Sequence, residues 1–185
     1  MNDLIKIAVI CGTMREGRES IKAAHWVAEL GRRQPHVEIL FADPKEYQIP
    51  GDGDSPETRN SRFAEITAAA DAFFVVTPEY NHSFPGSLKR LLDSEYANYF
   101  HKPVATAGVS SGPWGGVRVC EALQPVYHRL GLCSIRPELY FPKIADLFDE
   151  QGTLKPEYAD TYTKAAQAAY DELIWMARAL KAARA

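Results

Sequence analysis

Cysteine is scarce in this chain: Cys11, Cys120 and Cys133 are the only three among 185 residues, widely spaced and odd in number. A disulfide framework is therefore excluded. With no C-x-x-C pair and no clustered histidines, the usual donor set of a zinc site is missing as well. The three thiols read as reduced packing residues of a cytoplasmic protein. An excess of positive charge is also lacking. Lys and Arg number 21 against 24 Asp and Glu, a formal net charge of -3 with a pI near 6.0, so the chain offers no basic footprint for nucleic acid or an anionic membrane. No apolar run reaches membrane-spanning length, and Met1-Asn2-Asp3 has nothing of a basic signal region. Low-complexity tracts and internal repeats are absent too. A small-molecule partner is the class that survives.

Hydrophobic residues make up 46% of the sequence, enough for one sizeable core, so residues 1–185 read as a single domain. Ile5-Lys6-Ile7-Ala8-Val9-Ile10-Cys11 is nearly continuous in apolar character, the mark of a central strand covered on both faces. Ile21, Ala24, Ala28 and Leu30 follow at helical spacing, with Ser20 placed to cap that helix and Gly31 to end it. Residues 37–41 predict a second strand, 43–56 a Pro- and Gly-rich loop, and 58–70 a helix. A third strand, 72–77, precedes a short helix bearing Leu88, Leu91 and Leu92; a fourth, 103–109, precedes a helix over 117–130; a fifth covers 132–139. From Pro156, the residues Tyr158, Tyr162, Ala165, Ala169, Leu173, Ala177 and Leu180 trace one stripe of a long closing helix. Alternation of this kind predicts an α/β fold: a three-layer sandwich with a five-stranded parallel sheet in the flavodoxin-like order 2-1-3-4-5 and helices on both faces.

That order sets strands one, three and four side by side, and ligands of such sheets bind outside the strands' carboxyl ends. The three exit loops there are the unusual segments of the sequence. The first, residues 12–20, brings Thr13, Arg15, Arg18 and Ser20 to a helix amino terminus, a composition suited to a phosphate. The competing reading is a solvated turn whose arginines pair with Glu16 and Glu19. Walker A is excluded because Gly17 is followed by Arg18, and the dinucleotide fingerprint because Gly12 and Gly17 cannot supply three glycines at its spacing. The second loop reads Pro78-Glu79-Tyr80-Asn81-His82-Ser83-Phe84-Pro85-Gly86, stiffened by proline at both ends and suited to a flat, polar-edged ligand. The third holds Ser110, Gly112, Trp114, Gly115 and Gly116, where glycines let backbone approach a ligand. It also completes a G-x-S-x-G match at Gly108-Val109-Ser110-Ser111-Gly112, but the only later histidine, His128, falls inside the next helix, so a serine hydrolase triad cannot be assembled.

Together these loops resemble the NADPH-dependent FMN reductase family of flavodoxin-like proteins, which includes chromate, quinone and azo-dye reductases. Residues 12–18 are similar to that family's phosphate loop, with Thr13 in place of the usual serine. Pro78-Glu79-Tyr80-Asn81, Ser83, Pro85-Gly86 and Leu88-Lys89 are similar to its most specific motif, and Gly112, Gly115, Gly116 and Arg118 to its glycine-rich flavin loop. Arg90-Leu91-Leu92-Asp93 departs from the Asn-Ala-Ile-Asp that members often carry. The resemblance implies noncovalent FMN, with phosphate at Thr13, Arg15, Arg18 and Ser20, the ring edge along Pro78, Glu79, Tyr80 and Asn81, and its pyrimidine side near Ser110, Gly112, Gly115 and Gly116. It further implies NADPH or NADH as reductant, a small-molecule electron acceptor, ping-pong kinetics, no catalytic side chain, and a homodimer or homotetramer. An electron carrier, or a flavin-binding module without nicotinamide oxidation, is the alternative; such carriers tend to be strongly acidic, and this chain is near neutral.

Overall fold

The computed structural model describes residues 4–47, 55 and 59–184. Its central sheet is parallel throughout, ordered β2-β1-β3-β4-β5, with β6 also paired to β4. β1 (Ile5–Cys11), β3 (Ala72–Pro78) and β4 (Lys102–Val109) form the buried middle, and β2 (Val37–Ala42) is the half-exposed edge. The period-two alternation of a strand divides the core. Ile5, Ile7, Val9 and Cys11 face one side with Phe74 and Val76, while Ala8 and Ile10 face the other with Phe73 and Val75. On the first side pack α1 (Ser20–Arg32) and α6 (Pro156–Arg184); on the second lie α2 (Ser61–Ala69), α3 (Gly86–Asp93) and α4 (Val117–Leu130). Two helix layers thus enclose the sheet, as the sequence pattern predicts.

Four details depart from that pattern. The fifth strand is two pieces, β5 (Leu132–Ser134) and β6 (Leu139–Phe141), each pairing with β4. Pro137, which lacks a backbone donor, lies in the gap between them. Ser20 is not the cap of α1: Glu19 occupies that position without a side-chain bond, and Gly31 is a buried helical residue with the helix running on to Arg32. A Cβ on Gly31 would lie 2.6 Å from the Tyr170 hydroxyl, so the glycine serves close packing of α1 on α6. On α6, Ala165 is exposed and the buried stripe runs through Ala166, Ala169, Tyr170, Leu173, Ile174 and Ala177. The Tyr170 hydroxyl donates to the Val27 carbonyl at 2.7 Å.

Within the expected loop 43–56, residues 44–46 form a 3-10 turn capped by Asp43, while 48–54 and 56 lie outside the described residues, as does Thr58 at the expected start of α2. The helix begins at Ser61, where Asn60 accepts from the Phe63 amide at 3.1 Å. A further short helix, α5 (Ile144–Leu147), follows β6.

Candidate functional site

Because β1, β3 and β4 are adjacent and parallel, their exit loops emerge together at one sheet edge. Between them opens a cleft of about 280 Å³, lined by Arg15, Arg18 and Ser20 from the first loop, Pro78, Glu79 and Tyr80 from the second, and Ser110 from the third. Gly17, Glu19, Val109, Ser111 and Ile144 complete the lining, and of these Ile144, beyond β6, carries no signal in the sequence. Thr13 is 2% exposed and lies beneath the lining. Its hydroxyl is 3.1 Å from that of Tyr80 and accepts from the Arg15 amide at 3.3 Å. Asn81, Gly112, Gly115 and Gly116 are not among the lining residues.

The first loop is anchored at its base. A Cβ on Gly12 would collide with the Thr77 side chain of β3, so only glycine lets the chain leave β1 here. Arg18 pairs with neither Glu16 nor Glu19. Its guanidinium forks onto both oxygens of Asp43, at 2.8 Å to Oδ1, and also donates to the Thr13 carbonyl. Glu16 and Glu19 are taken instead by Lys45 and Lys22, each at 2.7 Å. Burial, the largest single influence, would raise the Asp43 carboxyl, but the hydrogen bonds from Arg18 and the Lys45 amide and the charges of both residues together outweigh it and hold the group below its ordinary range. Arg15 is exposed, and its guanidinium has no partner among the described residues.

The second loop is a tight turn. Tyr80 and Ser83 exchange two backbone hydrogen bonds of 2.9 Å, and Asn81 and His82 between them have φ of 49° and 64°. Two consecutive residues in the left-handed region make a type I′ turn, which asparagine tolerates well at the first position. Both turn residues are exposed. Glu79 points toward α4, accepting from the Arg118 amide at 3.2 Å and from its guanidinium at 3.4 Å. Gly116 at the start of α4 has no side chain to cap the helix, and Glu79 provides the missing acceptor from a different loop.

Gly108, near the end of β4, and Gly115, in the third loop, serve packing. A Cβ on Gly108 would lie 2.5 Å from the Gly116 carbonyl, and one on Gly115 2.8 Å from Tyr140 Cβ, whereas Gly112 stands in open space. Ser110 ties the loop together, donating to the Gly112 carbonyl at 2.8 Å and accepting from the Gly115 amide at 2.9 Å. The loop is also held by the segment after β6: the Lys143 amide donates to the Gly112 carbonyl and the Ile144 amide to that of Ser110.

Among the described residues, one buried side-chain oxygen in the cleft stands without a partner. Ser20 Oγ is buried, at the first residue of α1, and makes no hydrogen bond. A buried hydroxyl left unpaired costs about 1–3 kcal/mol, and a helix amino terminus is where an anion would satisfy it. An anionic phosphate therefore fits the first loop.

The family model described as NADPH-dependent FMN reductase matches residues 5–146. The chain belongs to the NADPH-dependent FMN reductase family. As a member it is an NAD(P)H-dependent flavin oxidoreductase that uses FMN. Among curated relatives of this FMN reductase, a quinone reductase of Pseudomonas putida is 31% identical over 161 residues, covering 83% of this chain and 87% of the relative. An NAD(P)H-dependent FMN reductase of Pseudomonas aeruginosa is 31% identical over 169 residues, covering 86% and 89%. The fold is shared with the flavoenzyme NAD(P)H:(acceptor) oxidoreductase FerB of Paracoccus denitrificans, at a TM-score of 0.75 and 22% identity over 92% of this chain and 97% of that one.

Proposed function

We propose that this FMN reductase binds FMN in the three-loop cleft and passes electrons from NAD(P)H to a small-molecule acceptor of the quinone class by a ping-pong cycle. The observation that carries the cofactor's placement is the buried, unpartnered Ser20 hydroxyl at the phosphate-suited end of the cleft. The names of two relatives, quinone reductase and 2-hydroxy-1,4-benzoquinone reductase, support the choice of acceptor. Thr13, Arg15, Arg18 and Ser20 form the phosphate end. Pro78, Glu79, Tyr80 and Asn81 form the ring edge, and Ser110, Gly112, Gly115 and Gly116 the side nearest the pyrimidine.

Bound FMN supplies hydride acceptance and two-electron donation. The chain's own part is binding and orientation: Tyr80 and Thr13 join two walls of the cleft, Glu79 fixes the second wall to α4, and Ser110 fixes the third. No side chain acts as nucleophile or general base in this reading. A single 185-residue domain, assembled as a homodimer or homotetramer in the cytoplasm with no nucleic-acid or membrane partner, completes the proposal; the near-balanced charge supports it. Among the described residues, no helix is long and apolar enough to cross a membrane.

The test is an anaerobic titration of the FMN-loaded protein with NADPH and NADH, then with a panel of quinones, free flavin, azo dyes and oxidised metal ions. Bleaching of the flavin absorbance by a nicotinamide and its return with a quinone is the expected result. A flavin that stays oxidised in the presence of both nicotinamides overturns the reductase reading and leaves that of an electron carrier.

A further inference from the structure

Asp43 belongs to none of the three loops. It follows directly on β2, at the sheet's edge, yet its carboxylate reaches the exit loop of β1. Both oxygens accept from the Arg18 guanidinium, and Oδ1 also accepts from the Lys45 amide at 3.0 Å. The two side chains are 9% and 13% exposed for Arg18 and Asp43, so the pair is largely shielded from water. The Nη1 that meets Asp43 Oδ1 also donates to the Thr13 carbonyl, while Nη2 donates to Asp43 Oδ2. A planar fork held at both ends has its orientation set, and its charge is met by the carboxylate. Arg15, three residues earlier, is exposed with its guanidinium unpaired among the described residues.

We propose that Asp43 and Arg18 act as positioning residues, a brace that shapes residues 12–20 to receive a phosphate monoester, and that Arg15 is the cation that meets the phosphate. The inference rests on the reading of this loop as the phosphate end of the FMN site. It divides two arginines that look equivalent in the sequence, and it brings in a residue that lies outside every motif.

The experiment compares FMN with riboflavin, which lacks the phosphate, by quenching of flavin fluorescence on apoprotein. Simple electrostatics gives a clear opposing prediction: a carboxylate beside an anion site repels it, so Asp43→Asn would tighten FMN. The brace predicts the reverse. Asp43→Asn and Arg18→Ala each weaken FMN by about tenfold with little change for riboflavin, and Arg18→Ala/Asp43→Ala is no worse than either single variant. Arg18→Lys retains the charge but not the fork, and it behaves as Arg18→Ala; this variant decides the matter if Asp43→Asn fails to fold. Tighter FMN in Asp43→Asn, additive losses in the double variant, or near-normal FMN binding in Arg18→Lys each overturns the brace. Arg15→Ala tests the underlying reading separately. It weakens FMN selectively and flattens the salt dependence of FMN binding, whereas equal losses for FMN and riboflavin refute the phosphate end itself.

Discussion

The Tyr80 hydroxyl lies 3.1 Å from that of Thr13, joining the loop that leaves β3 to the loop that leaves β1. Thr13 is 2% exposed and already accepts from the Arg15 amide, so the pair connects the flat wall of the cleft to its phosphate-suited end. Tyr80→Phe removes the link without changing the ring. A neutral hydrogen bond contributes about 0.5–1.5 kcal/mol, so FMN affinity should fall by roughly 2- to 12-fold in a fluorescence titration. An unchanged affinity would show that the two walls are set independently.

Glu79 is the acceptor for the start of α4. Glu79→Ala leaves the Arg118 amide without it and removes a negative charge from a helix amino terminus, for a loss of about 0.5–2 kcal/mol in urea unfolding. The ion pair to the Arg118 guanidinium is half-exposed on the arginine side and contributes little of this. Glu79→Gln, which keeps an acceptor, should recover most of the stability.

Gly108, near the end of β4, and Gly112, in the loop that follows, differ in role. Gly108→Ala drives a Cβ to 2.5 Å from the Gly116 carbonyl, a backbone atom that cannot swing away, and should cost about 1–3 kcal/mol. Gly112→Ala meets nothing within 4 Å and should stay within about 0.5 kcal/mol of the parent. Thermal unfolding of the two variants side by side reads the difference.

Lys102, at the start of β4, is a pH-sensitive group. Its ammonium is buried, donates to the Thr67 carbonyl at 2.8 Å and sits 5.9 Å from the centre of the Phe73 ring. Burial, with Arg184 adding to it, pushes its pKa down from the ordinary 10.5 to about 8. Between those values the unfolded chain binds the proton and the native one does not, so this group makes stability rise with pH from about 8 to 10.5. Below about 8 both states are protonated and the burial penalty is present in full. The difference in urea stability between the parent and Lys102→Met should therefore change across that window and be flat below it.

The strands were legible because each is a short apolar run bounded by turn residues, and their adjacency follows from the handedness of parallel crossovers. Adjacency in turn is what gathers three distant loops at one cleft. Long-range pairings were not legible. Arg18 has acidic neighbours in sequence at Glu16 and Glu19, but its partner is Asp43, brought close only by the pairing of β1 with β2. The turn at Asn81 and His82 carries histidine where glycine is the usual signal. Ser20 has the chemistry of a cap, yet α1 takes it in as its first residue and leaves its hydroxyl unpaired in the cleft. At 132–139 apolar residues on both sides of Arg136 and Pro137 read as one strand, although that pair marks the break between β5 and β6.

That break gives the outer edge of β4 two separate fastenings. β5 follows α4 directly and holds the lower half of the strand, while β6 holds the upper half and leads into Lys143 and Ile144, whose amides grip the third loop of the cleft. In the connection between them Ile135 is buried and its amide still donates to the Val104 carbonyl of β4, whereas Arg136, Pro137 and Glu138 are exposed or half-exposed. Length and sequence can therefore vary at 136–138 while the sheet stays closed below and the loop stays gripped above, so the wall of the cleft beside Ser110 can be re-aimed without unfastening the domain beneath it.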